Sequence, residues 1–290
     1  MDLILTEFQR DLATITRQLD LLDEIKKFSA IAELSEKYRV AAATDAANKT
    51  SASQEMRAYL RQATSLHGCA RTSHAGLPVV SGTMVLYIAG RFEEFTRTSF
   101  EDLCQQLAQR ASSFKALPKK MQESLITFTA IVMQSPRKYQ HGDGAVASFA
   151  QNLASNLSAA AKAENINYQC LSITDANMRP DTLSDLYDRI GAKEIWKKIG
   201  QQASVQAHFS TQDSSNAESL AKSKLGALMD ERNSIAHPST SIVWPDTDKV
   251  RGYIKFLDVL AAALSSLSLV FAATLCRKDD ASDATARAAA

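Results

Sequence analysis

Apolar side chains recur along this chain mostly three and four residues apart, which is the period of an α-helix that is buried on one side. The segment from residue 3 to about 40 shows a regular seam, formed by Leu5, Phe8, Leu12, Ile15, Leu19 and Leu22. The seam predicts a helix that packs against the body of the same chain. Because its steps of 3, 4, 3, 4 and 3 also make about three heptads, a coiled-coil dimer is the alternative.

The residues after this helix predict a change of structure. Residues 41–53 are small and polar and predict a junction, followed by a short helix that ends near Thr64. Residues 65–78 contain Gly68 and Gly76 and predict a loop.

A long helix is predicted from about Val79 to Ala111. Gly82 and Gly90 lie inside it, and each lowers helix propensity by roughly 1 kcal/mol against alanine. We therefore expect these glycines to allow close approach by another helix.

The remaining spacing predicts further helices and one loop. Helices are expected at about 119–133, 143–163, 180–190 and 192–203, a Ser- and Gln-rich loop at 206–215, and a helix at about 216–237. The inner side of the helix over 216–237 is formed by Ala221, Leu225, Leu228 and Ile235. Asp246 or Thr247 caps a last helix that ends near Arg277.

The composition favours an all-α protein, a multi-helix bundle. Apolar residues make up 45% of the 290 residues, aromatic residues only 7%, and there are few glycines and prolines, 10 and 6. With 33 Lys and Arg against 32 Asp and Glu, a protein-wide surface for nucleic acid is excluded. RNA or DNA would have to bind a local patch, which two copies of the chain can build together.

The cysteines and the amino terminus indicate the compartment. The four cysteines are far apart, without a CxxC pair, and the amino terminus is acidic and does not resemble a signal peptide. We expect free thiols and a cytoplasmic protein.

The apolar run over 256–276 contains Asp258 and three serines and is rich in alanine, which favours a buried core helix over a membrane span. A helical adaptor to a membrane complex is the alternative for this run.

The segment Glu231–Pro238 has the strongest candidate chemistry. It places Arg232, Asn233 and His237 on the last turn and a half of a predicted helix that Pro238 ends. Histidine exchanges protons near neutral pH, and arginine binds phosphate with a planar, permanent charge. Residues five apart on a helix diverge by about 140°, so Arg232 and His237 flank one helix edge. The combination predicts chemistry on a phosphodiester.

Other residue patterns in the sequence give little support for a metal site or a nucleotide site. His67, Cys69 and His74 supply three of the four ligands that a structural zinc site needs, so no metal and no cofactor is predicted. The run His141-Gly142-Asp143-Gly144 predicts a turn and a helix start, and no nucleotide-binding glycine motif is present.

A cluster of aromatic and cationic residues follows the motif. Trp244 and Tyr253 alternate with Lys249, Arg251 and Lys255. An aromatic ring beside cations can stack on a base, so Trp244 and Lys249 are candidate RNA contacts. A core tryptophan and a solvated helix face are the alternative.

Three stretches resemble HEPN-domain ribonucleases of the RiboL-PSP branch. Arg232–His237 matches the R-N-x3-H form of the family's R-x4–6-H signature. Leu86–Phe95 is similar to its L-Y…G-x-F-E-x-F helix, and Asn177–Leu183 with Arg189-Ile190-Gly191 is similar to its N-x-R-P…R-I-G block. Their order and spacing fit over about 79–277.

The resemblance implies a metal-independent endoribonuclease with a HEPN-type helical bundle. It implies that Arg232 stabilises the scissile phosphate, that His237 is the general acid or base, that Asn233 orients the histidine or the phosphate, and that Glu93 polarises His237 or pairs with Arg232. The product implied is a 2′,3′-cyclic phosphate.

The resemblance also implies partners. It implies a homodimer with the two motifs facing each other, a toxin or phage-defence role, and control by an antitoxin or another regulatory protein.

Two questions stay open at the level of sequence. The Asn177–Pro180 block is read either as a helix entry, with proline in the first turn, or as a place where Arg179 contacts RNA. A non-catalytic HEPN fold, used for dimerisation or partner binding, is the alternative to the enzyme. We divide the chain into a helical extension over 1–78, a HEPN-like core over 79–278, and a flexible tail over 279–290.

Overall fold

The regular structure of this protein is helical. The computed structural model describes residues 2–30, 51–142, 144–158, 163, 165–237 and 243–276, and none of these residues is in a strand. The predicted all-α class is confirmed. The predicted tail over 279–290 lies outside the described residues, and the division at residue 78 stays a prediction.

The helices follow the chain in this order: α1 (Asp2–Ala30), α2 (Ser51–Ser73), α3 (Leu77–Arg110), α4 (Lys119–Gln134), α5 (Ala145–Leu157), α6 (Tyr168–Leu171), α7 (Pro180–Asp188), α8 (Ile195–Gly200), α9 (Ala203–His208), α10 (Ser214–Ala236) and α11 (Thr247–Thr274). Short 3-10 turns lie at His74–Gly76, Phe114–Ala116 and Pro136–Tyr139. The predicted starts of α3, α4, α7 and α10 agree with these bounds to within about two residues, the usual uncertainty of helix ends.

The seam of α1 is buried inside the same chain. Five of its six residues are buried, and the sixth, Leu5, packs partly buried against the core. The ring of Phe8 stacks on that of Phe95 of α3, with centroids 4.9 Å apart. The prediction of same-chain packing is confirmed, and the coiled-coil alternative is wrong because the seam is already covered. Residues 31–50, where the predicted end of this helix and most of the polar junction fall, lie outside the described residues.

The loop predicted over 65–78 is wrong. Helix α2 continues to Ser73, and one 3-10 turn leads directly into α3. His67 and Ala70 are buried, and the ring of Phe28 meets the edge of His67 at a centroid distance of 5.2 Å. This burial against α1 outweighs the roughly 1 kcal/mol that Gly68 costs a helix.

The helix predicted over 192–203 is two helices. Helix α8 ends at Gly200, and α9 occupies part of the predicted loop over 206–215. A β-carbon at Gly200 would lie 2.9 Å from Cβ of Glu218. Glycine at this position therefore lets α8 end directly against the first turns of α10.

The core is centred on α3 and α11, which pack along each other and against α1. Of the two predicted caps of α11, Asp246 is the one in the structure. Its carboxylate accepts a hydrogen bond from the Lys249 backbone N–H at 2.7 Å. Tyr187 of α7 is fully buried and packs between Phe100 of α3 and Phe271 of α11. Helices α3, α7 and α11 each pack against α10 and support it.

Two helical stretches among the described residues are long and apolar enough to cross a membrane by length and composition, Arg57–Arg110 and Thr247–Thr274. Of the most apolar part of the second stretch, 61% is buried inside the protein. This burial favours the interpretation of 256–276 as a core helix.

The two glycines inside α3 have different surroundings. A β-carbon at Gly82 would overlap the ring of Trp244, lying 2.6 Å from its Cζ3 atom, whereas nothing lies within 4 Å of that position at Gly90. The close approach that we expected from a helix comes from a tryptophan ring instead. The Ser81 hydroxyl donates to the Pro245 carbonyl at 2.5 Å and fastens the same segment.

The two glycines therefore predict opposite effects of alanine. Gly82→Ala forces the Trp244 ring to move and should lower the free energy of unfolding by about 1–3 kcal/mol, the usual cost of overpacking. Gly90→Ala should raise it by up to about 1 kcal/mol, because helix propensity improves without a clash. Urea unfolding followed by tryptophan fluorescence measures both. Equal stability of the two variants would contradict the contact between Trp244 and Gly82.

Candidate functional site

The predicted motif lies at the carboxyl end of α10. The apolar residues predicted for its inner side are buried: Ala221, Leu225, Leu228 and Ile235. Arg232 and Asn233 are half-buried, and His237 is exposed as the residue that caps the helix. The His237 backbone N–H donates to the Asn233 carbonyl at 3.0 Å. The imidazole is therefore open to a ligand at the helix end. Pro238 lies outside the described residues.

Asn233 connects the motif to a second segment. Its Oδ1 atom accepts one hydrogen bond from Asn177 Nδ2 at 2.5 Å and one from Arg232 Nη1 at 3.2 Å. A carbonyl oxygen has two acceptor positions, so both are used. Asn233 thus orients the guanidinium of Arg232, whereas the sequence suggested that it orients the histidine or the phosphate. The remaining guanidinium donors of Arg232 have no partner among the described residues.

The two residues after Asn177 also bind α3 and α10. The Met178 backbone N–H donates to Glu93 Oε1 at 3.1 Å, and Arg179 Nη2 donates to Asp230 Oδ1 at 2.6 Å. Glu93 is on α3 and Asp230 is on α10. The three stretches that were singled out in the sequence therefore meet at one place in the structure.

The position of Glu93 differs from the roles suggested for it. Within the part of the chain that the structure describes, its carboxylate is bonded to the Met178 backbone and to neither Arg232 nor His237. Glu93 holds the segment that carries Asn177. A catalytic part for Glu93 stays a prediction.

Arg189 is a residue to which the sequence assigned no role. Its Nη1 atom donates to the carbonyls of Leu171 and Ile173 at 2.7 and 2.6 Å, and its guanidinium stacks on Phe128 at 4.0 Å. Burial is the main cause that lowers the pKa of Arg189. Arg189 tethers the start of the loop that leads to Asn177. The partners are backbone carbonyls, which leave no signal in a sequence.

Glu231 fixes the motif helix to α11. Its side chain is only 10% exposed, and its carboxylate binds Lys249 Nζ at 2.7 Å and accepts from the Tyr253 hydroxyl at 2.7 Å. Burial, followed by the hydrogen bond to Glu231, raises the pKa of Tyr253. Lys249, a candidate RNA contact, is therefore paired with a carboxylate. The sequence did not indicate this cluster, since its members are 18 and 22 residues apart along the chain.

The other two candidate RNA contacts also have protein partners. Arg179 pairs with Asp230 at the surface, where the side chains are 40% and 68% exposed, and such pairs are weak and easily exchanged. Trp244 is half-buried, with its ring on Gly82 and against the core. The contact of these residues with RNA stays a prediction.

The three possible metal ligands near residue 70 are engaged separately or exposed. His67 is buried against Phe28, the Ser29 hydroxyl lies 2.8 Å from His74 Nδ1, and Cys69 is an exposed free thiol. In the described ranges, no group of three or more His, Cys, Asp or Glu side chains is placed to hold a metal ion.

Comparison with known proteins identifies the family. The model of the RiboL-PSP-HEPN family matches residues 49–268, about three quarters of the 290 residues, and this range contains all three stretches that meet at the site. No curated protein and no solved structure matches the chain. The match covers α2 through most of α11 and confirms the resemblance of the sequence to HEPN-domain proteins. The chain belongs to the RiboL-PSP-HEPN family.

Proposed function

We propose that this protein is an endoribonuclease in which Arg232 and His237 carry out acid–base cleavage of RNA. HEPN proteins are generally ribonucleases. The observation that carries the proposal is the end of α10, where Asn233 holds the guanidinium of Arg232 in place and the imidazole of His237 is exposed. Phosphodiester cleavage uses a positioned cation and an accessible proton carrier, and this helix end offers one of each.

The reaction balances with groups that the chain and the RNA supply. The ribose 2′-oxygen forms a bond to the adjacent phosphorus while its proton passes to a base. The bond from phosphorus to the 5′-oxygen breaks, and that oxygen receives a proton from an acid. The products are a 2′,3′-cyclic phosphate and a 5′-hydroxyl. Arg232 stabilises the extra negative charge on the phosphoryl oxygens, and His237 transfers protons.

Two copies of the chain complete the site. The reaction needs a base and an acid at the same time, and each chain supplies a single His237. Within one copy, no hydrogen bond joins Arg232 to His237 among the residues described. A homodimer with the two α10 ends facing each other provides two imidazoles and two guanidinium groups. Arg179, Lys249 and Trp244 then flank the cleft as candidate RNA contacts.

The biological setting follows from the activity. An unregulated ribonuclease harms the cell that makes it, so we propose a cytoplasmic toxin or phage-defence effector that an antitoxin or another regulatory protein controls.

Replacing either motif residue tests the activity. Arg232→Ala and His237→Ala should each lower RNA cleavage by about 10²-fold or more, because each removes transition-state stabilisation or proton transfer. Cleavage is measured on total RNA in EDTA, with the end groups analysed for cyclic phosphate. Ser234→Ala is the matched control, since this exposed hydroxyl bonds to the Asp230 carbonyl and to no other group in the described residues. Equal RNA decay in wild type and both variants would assign the motif to structure, as in a non-catalytic HEPN fold.

Mixing chains tests the shared site. If both imidazoles act in one reaction, a dimer of one wild-type and one His237→Ala chain is inactive. With equal amounts of the two chains co-expressed, activity should then fall to about one quarter, the share of dimers with two wild-type copies. A fall to one half would show that each copy works alone.

Expression in a bacterial host tests the toxin role. Growth should stop on induction of the wild-type chain and continue on induction of His237→Ala at the same protein level, because only the first cleaves RNA. Equal growth inhibition by the two proteins would show that toxicity does not depend on RNA cleavage.

A further inference from the structure

Three side chains with positive or titratable charge converge beside α11, outside the motif. Lys224 Nζ lies 4.8 Å from the ring centre of Tyr253 and 3.7 Å from where a β-carbon would stand on Gly252. Burial and then the charges of Lys224 and Lys255 lower the pKa of His208. Lys255 follows Gly252 by three residues on α11, which places the two positions on one face of that helix. We call the group of three side chains the lysine strip: His208, Lys224 and Lys255.

The charges of the lysine strip are not balanced by carboxylates. Throughout the described ranges, neither Lys224 nor Lys255 forms an ion pair, although neighbouring lysines do. Lys222, two residues from Lys224, pairs with Glu218 at 2.6 Å, and Lys249 pairs with Glu231. Like charges placed together without an acid repel each other, and an anionic ligand removes that repulsion.

The side chains around the strip hold it open. The ammonium of Lys224 lies over the ring of Tyr253 in a cation–π contact, and Gly252 has no side chain to cover it. His208 is half-buried, with its ring against Phe209 and Phe256 at 4.8 and 6.0 Å. Lys224 is also half-buried and Lys255 is exposed, so the strip is accessible from the solvent.

The strip is continuous with the motif. Tyr253 bonds through its hydroxyl to Glu231, the residue before Arg232. Lys224 and Arg232 are eight residues apart on α10, which is about 12 Å along a helix axis. The same eight residues turn by about 80° around the helix, so a strand that is held at Arg232 reaches Lys224 by running along α10 and bending to its adjacent side.

We propose that the lysine strip binds the phosphodiester backbone of single-stranded RNA next to the cleavage position. This inference rests on the proposed ribonuclease function and assigns the path of its substrate. Phosphate contacts of this kind fix the register of the strand and do not select its sequence. A single strand is favoured because the strip is shared by α9, α10 and α11, and a flexible backbone can bend to follow it to the motif.

The salt dependence of binding tests the strip. The probe is a fluorescently labelled single-stranded oligoribonucleotide of about 12 nucleotides, within the usual range of single-strand sites, and the background is His237→Ala, so that the probe stays uncut. Each of Lys224→Gln and Lys255→Gln should reduce the slope of log Kd against log salt by about 0.7 and weaken binding about fivefold at 0.1 M salt. Lys222→Gln removes the same charge from the same helix and should leave both values unchanged.

A second pair of variants acts on the strip without removing a lysine. Gly252→Glu places a carboxylate beside the Lys224 ammonium, and Gly252→Gln places a neutral group of the same size there. Both replace a glycine inside a helix, so neither is expected to lose the fold. The glutamate variant should bind the probe about fivefold more weakly than the glutamine variant at 0.1 M salt.

The binding assay tests the lysine strip independently of the proposed ribonuclease activity. Binding and salt slopes that stay the same in Lys224→Gln and Lys255→Gln overturn the strip, even where Arg232→Ala and His237→Ala abolish cleavage. An absence of probe binding overturns it as well. Binding that depends on both lysines supports the strip, even in a protein that proves not to cleave RNA, and only the cleavage assay decides the enzyme.

Discussion

The hydrogen bond between Asn177 and Asn233 is the interaction on which the rest of the site depends. It joins the loop before α7 to the motif helix, and the same Asn233 oxygen holds Arg232. Both amides are half-buried, so the bond is worth about 0.5–1.5 kcal/mol, the net contribution of a typical hydrogen bond. The position of the arginine depends on this contact, because the same oxygen binds both side chains.

Other contacts support this hydrogen bond from each side. Arg189 ties down the start of the loop, Glu93 binds its backbone at Met178, and Glu231 fastens α10 to α11. The charged groups of Arg189, Glu93 and Glu231 each bind a partner within the protein. The end of α10 is positioned by its neighbours, and the exposed imidazole of His237 remains available to a ligand.

The distribution of ion pairs also separates structural cations from those that are available to a ligand. Arg179 and Lys249 are paired with carboxylates of α10, whereas Arg232, Lys224 and Lys255 have no carboxylate partner in the described part of the chain. A chain with a net charge of +1 can still offer phosphate a local positive surface in this way. The neutral composition excluded a broad surface for nucleic acid, and these three cations mark the narrow one that we propose.

The sequence by itself determined the all-α class, the approximate bounds of α3, α10 and α11, and the motif at the end of α10. These follow from helical periodicity and from the Asp246 cap, which act over a few residues. The tertiary structure decided the rest. Burial of His67 carried α2 through the predicted loop, the Trp244 ring filled the space at Gly82, and Glu93 turned to the Met178 backbone. These outcomes depend on partners far apart in the chain, and only folding brings those partners into contact.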